Sequence, residues 1–159
     1  MELGGVLENI RNKMVDVFSP EKRSQVMRQI RSTNTKPEVL IRSALHRLGY
    51  RYRIHDKRYP GKPDIVFPRY KVVIQVRGCF WHSHCCIDGK RPKSRQDYWI
   101  PKLEANQRRD RRNDRKLRES GWKVLVVWGC NCESSVRLEK EIQRIVRELE
   151  KRNPQKEQP

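Results

Sequence analysis

The stretch that decides the fold reads Pro60-Gly61-Lys62-Pro63-Asp64-Ile65-Val66-Phe67-Pro68-Arg69-Tyr70-Lys71-Val72-Val73-Ile74-Gln75-Val76-Arg77, and Gly78-Cys79-Phe80-Trp81-His82-Ser83-His84-Cys85-Cys86 follows at once. A turn-rich loop, Tyr59–Pro63, leads into a short apolar strand, Asp64–Phe67. Pro68-Arg69-Tyr70 makes a tight connection, and a second strand, Lys71–Val76, returns. A hairpin of this length sets Asp64 beside Gln75 and Arg77. That is the layout of Mg²⁺-dependent phosphodiesterases, in which a carboxylate and a nearby carbonyl hold a hard cation that polarises a phosphate and supplies hydroxide. A Pro-Asp pair alone more often just opens a strand or a turn. Its weight here comes from the hairpin, the basic surroundings and the nearby histidine.

Working outward, Ser19-Pro20-Glu21 reads as a helix start, with a Ser N-cap and Pro at the first helical position, and that helix runs to about Arg31. A second begins at Thr35, where Thr35-Lys36-Pro37-Glu38 fits a capping box. Ile41, Ala44, Leu45 and Leu48 form its apolar stripe, and Gly49 stops it. Tyr50–Ile54 predicts an edge strand ahead of the hairpin. After the Cys/His-rich loop, Gly78–Lys90, a long basic helix extends from about Asp97 to Ser120. Trp122–Trp128 is an apolar strand expected at the centre of the sheet. A last amphipathic helix, carrying Leu138, Ile142, Ile145, Val146 and Leu149, fills 134–151. The order α-α-β-β-β-α-β-α gives an α/β fold, a mixed sheet flanked by helices. Residues 1–18 read as an extension, 19–152 as the domain and 153–159 as a frayed tail.

With 159 residues the chain fits one domain on the prior of roughly 100–200 residues each. The net charge of +18 is concentrated. Residues 20–63 hold twelve Lys/Arg against three acids and residues 90–118 twelve against four, whereas 133–159 are nearly balanced at seven to six. Two dense basic segments suit a polyanion, because each cation on a phosphate releases condensed counterions. An anionic membrane surface fits less well, since no amphipathic apolar face accompanies the charge. No apolar run approaches membrane-spanning length, and residues 1–18 lack the apolar core of a signal peptide, so a cytoplasmic protein is expected. There, five cysteines suit thiols or metal ligands better than disulfides.

Cys79, His84 and Cys86 lie within eight residues, and Cys130 follows the later apolar strand. Neighbouring strands would bring the two places to one sheet edge. Three thiolates and one imidazole make a closed tetrahedral zinc site of the structural type. Cys85 can compete with Cys86, and Cys132 is spare. Buried inert cysteines are the duller alternative, but the run around Cys79 is too polar for a core.

The chain resembles the very-short-patch repair (Vsr) endonucleases, a branch of the PD-(D/E)xK nuclease fold. The resemblance rests on Arg23-Ser24, Met27-Arg28 and Ile30, on Thr35 with Glu38, on Pro60–Asp64, and on Gly78-Cys79-Phe80-Trp81-His82 with His84 and Cys86. It continues through Tyr98-Trp99, Lys102, Asn106, Arg109-Asp110-Arg111-Arg112, Leu117, Gly121-Trp122 and Val127-Trp128 with Cys130, covering about 19–150. It implies a restriction-endonuclease-like core and nicking of duplex DNA beside a T·G mismatch left by deaminated 5-methylcytosine. A monomer would suffice, working alongside a cytosine-5 DNA methyltransferase. Asp64 would share catalytic Mg²⁺ with the main-chain carbonyl of Val76. His82 would serve as general base or water-orienting group, and Glu38 would order metal-bound waters, unless it only closes the capping box. Phe80, Trp81 and Trp99 would be wedges pushed into the base stack, with Met27 entering from the other groove or simply packing. Asn106 and Asp110 would contact DNA or brace the site, and Arg109, Arg111 and Arg112 would contact DNA. Cys79, His84, Cys86 and Cys130 would hold Zn²⁺.

One position departs from the family, which usually carries aspartate or histidine beside the metal where this chain has Arg77. The arginine would either steady the attacking hydroxide and phosphate or pair with Asp64 and displace Mg²⁺. The second outcome would leave a mismatch binder without activity. A restriction-type endonuclease shares the fold and stays open, and so does an RNA-binding protein using the same charge. His46 and His55 have no partners legible in the sequence.

Overall fold

A computed structural model of the chain describes residues 33–154. The helix expected from Ser19, the extension 1–18, Met27 and most of the tail lie outside the described residues. The first described helix, α1 (Lys36–Arg47), starts as the sequence predicts. Glu38 closes a capping box, its Oε1 accepting from the Thr35 amide at 3.3 Å and from the Thr35 hydroxyl at 2.7 Å. Gly49, at φ 88, follows its end.

The strands are β1 (Arg53–Ile54), β2 (Ile65–Phe67), β3 (Val72–Arg77) and β4 (Lys123–Trp128), in the sheet order β1-β2-β3-β4. The first two pairings are antiparallel and β3–β4 is parallel, so the sheet is mixed. Between β3 and β4 runs α2 (Gln96–Glu119), and α3 (Ser135–Lys151) ends the fold. Two expectations need correction. Tyr50–Ile54 shrinks to a two-residue strand because Tyr50 and Tyr52 turn edge-on to Phe67 instead of extending the ladder. And β4 lies at the edge of the described sheet, while β3 lies inside it. The apolarity of β4 has another cause: helices cover both of its faces.

Side chains alternate between two cores, as the period of two requires. Ile65, Phe67, Val72, Ile74, Leu125 and Val127 meet Ile41 and Leu45 of α1 and Ile142, Ile145 and Leu149 of α3. Val66, Val73 and Val124 meet Leu117 of α2, with Tyr59 and Trp122 alongside. Asp64, Gln75 and Arg77 follow the second set in phase and line one cavity with residues of α2. Among the described residues no helix is long and apolar enough to cross a membrane.

Candidate active site and metal cluster

The hairpin register, Ile65 opposite Ile74, carries Asp64 to the end of β3. There the Val76 amide donates to Asp64 Oδ2 at 2.7 Å, so the residue expected to share a cation with Asp64 meets it through the backbone. Burial, the like charge of Glu38 and only partial relief from the Val76 amide push the Asp64 carboxyl up to about 6. Asp64 shares a cavity of about 350 Å³ with His55, Val76, Arg77, His82 and Asp110.

His82 comes from the loop after β3, and α2 sets its position. Nδ1 of His82 makes a short contact with Asp110 Oδ2. One turn earlier, Asn106 donates to the Trp81 carbonyl at 3.1 Å and Gln107 to the His82 carbonyl at 3.3 Å. Asn106 and Asp110 therefore brace the loop from one helix face. Burial alone would raise the Asp110 carboxyl, but the bond to His82 and the charges of His82, Arg77 and Arg109 hold it below its ordinary value.

Arg77 ends β3 and lines the cavity with Asp64, as the hairpin predicts, but its charge turns to α2. Its guanidinium donates to Asp114 Oδ1 at 2.7 Å and lies 3.8 Å from Asp110 Oδ2, and it makes no ion pair with Asp64. Two acids one turn apart on α2 outcompete one on the neighbouring strand. The alternative Asp64–Arg77 pair, which would displace a cation, is not formed among the described residues. Asp114, 5% exposed, is a site residue that the sequence reasoning missed, although its spacing from Asp110 and Asn106 continues the same face.

His55 was missed as well. Its Nε2 lies 3.3 Å from Glu38 Oε2 and its Nδ1 3.7 Å from Asp64 Oδ1, so Glu38, His55 and Asp64 form a cluster whose ligand atoms lie within 4.8 Å of one another. Desolvation holds the His55 imidazole below its ordinary pKa, against the pull of Glu38. His46 stays at the exposed end of α1, away from this cluster.

Beside the cavity, Phe80 packs edge-on to Trp81 and Trp99, with ring centroids 5.1 and 5.2 Å apart. All three rings are half-buried, and the Lys102 ammonium lies 5.7 Å from both indoles. Arg109, Arg111 and Arg112 are exposed along α2.

The parallel register sets Arg77 opposite Trp128, so Cys79 and Cys130, each two residues on, emerge together. Their sulfurs, Cys86 Sγ and a His84 nitrogen lie within 4.8 Å of one another. His84 stacks on Trp128 with 4.1 Å between ring centroids, which turns Nδ1 to within 3.6 Å of Cys130 Sγ. Burial and the neighbouring thiols push the Cys130 thiol up to about 12, and burial raises Cys79 too. Three crowded thiols and an imidazole are a donor set that a metal ion suits, since the ion removes the mutual repulsion of the thiolates. Cys85 is exposed and outside the cluster, while Cys132 is buried against the core. Gly89 abuts the backbone of His84, where a Cβ would stand 1.9 Å from the carbonyl oxygen.

The profile of a family described as DNA mismatch endonuclease Vsr matches residues 15–88. The chain is 51% identical to the type II nicking enzyme V.XorIIP of Xanthomonas oryzae pv. oryzae over 133 residues, which span 84% of this chain and 98% of the relative. It is 47% identical to the type II nicking enzyme V.NmeAIP of Neisseria meningitidis, over 86% of this chain and 97% of the relative. The DNA mismatch endonuclease Vsr of Escherichia coli is 42% identical over 74% of this chain and 75% of its own length. The chain belongs to the Vsr family. As a Vsr-family protein it is a DNA endonuclease, and the cavity around Asp64 and His82 is the candidate place for its cutting chemistry.

Proposed function

We propose that this Vsr-family endonuclease nicks one strand of duplex DNA beside a T·G mismatch arising from deaminated 5-methylcytosine. One observation carries the reading: Asp110 holds His82 by Nδ1, which leaves Nε2 outside that bond, and His82 lines the cavity that Asp64 also lines. A histidine fixed this way accepts a proton on its other nitrogen, which is what activating a water beside a phosphate requires. Asp64 and the Val76 carbonyl would hold Mg²⁺, a choice supported by the hard oxygen donors; when bound, Mg²⁺ supplies charge stabilisation and an acidified water. Glu38 would orient water from the far side of the cluster. Arg77 keeps Asp110 in place between the guanidinium and His82.

Phe80, Trp81 and Trp99 present partly open faces that can enter a base stack, and the exposed Arg109, Arg111 and Arg112 can meet phosphates. Cys79, His84, Cys86 and Cys130 would hold a structural Zn²⁺, their donor set leaving no open position. The sheet and its flanking helices are consistent with a restriction-endonuclease-like core. A mismatch has no two-fold symmetry, so a monomer is expected to act alone, in a host that carries a cytosine-5 DNA methyltransferase.

The experiment compares duplexes that differ only by T·G against C·G, with Mg²⁺ titrated, in the native chain and in Asp64→Ala. Strand-specific nicking of the T·G duplex alone, lost in Asp64→Ala while binding persists, is the expected result. Equal cutting of both duplexes would favour a restriction-type enzyme.

A further inference from the structure

The cluster of Glu38, His55 and Asp64 holds more than the cutting chemistry above uses. Glu38 is 3% exposed and the Asp64 side chain 18%, so two carboxylates are largely withdrawn from water a few ångströms apart. Among the described residues neither forms an ion pair with Lys or Arg. Backbone amides and the Thr35 hydroxyl donate to them, but the nearest group able to carry a positive charge is the imidazole of His55, with Nε2 toward Glu38 and Nδ1 toward Asp64. Nε2 is buried and has no hydrogen-bond partner, although Glu38 Oε2 is 3.3 Å away. Withdrawing two carboxylates from water costs several kcal/mol per ion unless opposite charge compensates them, and an imidazole supplies at most one charge.

The backbone also aims this ring. His55 sits at φ 47, in the left-handed region, where its amide bonds the Asp64 carbonyl at 3.4 Å. The donor set is therefore two carboxylates from different elements and an imidazole, each offering one ligand atom within 4.8 Å of the others.

We infer that His55 is a direct nitrogen ligand of the divalent cation at Asp64, with Glu38 as a further oxygen ligand instead of a group that only orders water, so that the site takes Mn²⁺ or another first-row transition ion more tightly than Mg²⁺. The inference rests on the placement of the cutting centre at Asp64. Mg²⁺ binds oxygen in a strict octahedron and gains little from imidazole, whereas first-row transition ions accept it readily. Glu38 can ligate without losing its capping bonds, since those fill Oε1, whereas Oε2 accepts only from the Asn34 amide and keeps a second acceptor position.

The test uses the full chain with its cysteine cluster filled with zinc, without DNA, and with Mn²⁺ as the probe. Pulsed electron paramagnetic resonance should show nitrogen coupled to the bound Mn²⁺, and labelling the histidines with ¹⁵N should change that coupling. His55→Gln, with its melting temperature checked, should remove the coupling and weaken Mn²⁺ by at least about tenfold, the lower end of what losing even an outlying partner costs a metal site. Mg²⁺, measured by displacement of Mn²⁺, should weaken less. Bound Mn²⁺ without nitrogen coupling overturns the inference, as do coupling that persists in His55→Gln and failure to bind Mn²⁺ at millimolar concentration. The two readings separate through Asp64→Asn. If that variant still nicks DNA, the cutting centre is elsewhere. If it does not nick, and native Mn²⁺ shows no nitrogen coupling, only the role of His55 falls.

Discussion

Burial and the nearby charge of Glu38 carry the Asp64 carboxyl to about 6, against an ordinary value of 3.8. Between those two values the unfolded chain has released this proton and the folded chain has kept it. Its contribution to stability is therefore complete below pH 3.8 and is lost as pH rises to about 6, at most about 3 kcal/mol in all. Asp64→Asn, which cannot ionise, should melt at a higher temperature than the native chain near neutral pH in Mg²⁺-free buffer, and the two should converge near pH 4. Thermal melts at both pH values check this, and equal melting at neutral pH would mean that Asp64 is better solvated than its burial suggests. Arg77 invites the opposite substitution. Arg77→Asp would set three carboxylates together at 77, 110 and 114, where Arg77 now bonds Asp114 with side chains 13% and 7% exposed. Breaking such a pair costs about 3–5 kcal/mol. Arg77→Asp should unfold at markedly lower denaturant and gain no nicking activity, a result read from denaturation midpoints and a nicking assay side by side.

At the scale of elements, α2 works as a clamp: Asn106, Gln107, Asp110 and Asp114 reach from its one side to the loop after β3 and to the end of β3 itself. The helix and its neighbours were legible because their signals are local. The capping box at Thr35 and the apolar stripe of α1 each occupy one stretch of chain. The Asp64 hairpin was legible for the same reason, and so was the cysteine cluster, since neighbouring strands must emerge side by side. What was not legible depends on pairings between distant elements. His55 matters only because a left-handed turn aims it between Glu38 and Asp64, and no spacing encodes that. The direction of Arg77 follows from strand alternation and from α2 lying on that side, which became visible only with the sheet assembled. The apolar character of β4 reports how many faces are covered, so it could not place the strand at an edge or a centre. The cysteine cluster joins the β3 loop to the end of β4, and its removal should be felt by both. Metal analysis should find one Zn²⁺ per chain, and Cys130→Ala should lose it together with much of the stability, because ligand binding energy is folding energy in such a site. A zinc-free native protein would refute the assignment.

Across the whole molecule the charge of +18 sets how the protein meets DNA before any mismatch is sensed. Arg109, Arg111 and Arg112 are exposed on α2, which also holds His82 in place. Replacing Arg111 and Arg112 by Ala should weaken matched and mismatched duplexes alike. It should also lower the slope of log affinity against log salt by about one for each phosphate no longer neutralised. Affinity titrations at several salt concentrations measure this, and an unchanged slope would place these arginines off the DNA. Trp81→Ala should differ, costing on the order of 1–3 kcal/mol on mismatched DNA and less on matched DNA, if that ring stacks on bases. Trp81 and His82 are consecutive residues on a loop whose ends, Cys79 and His84, belong to one cluster. Their backbones are thus about 3.8 Å apart by covalent geometry alone. The loop would then act as a ruler: if Trp81 is the ring that marks the damaged step and His82 the base that activates water, marker and base are one peptide bond apart. The offset between lesion and nick would then be limited by one short loop, which α2 holds through Asn106, Gln107 and Asp110.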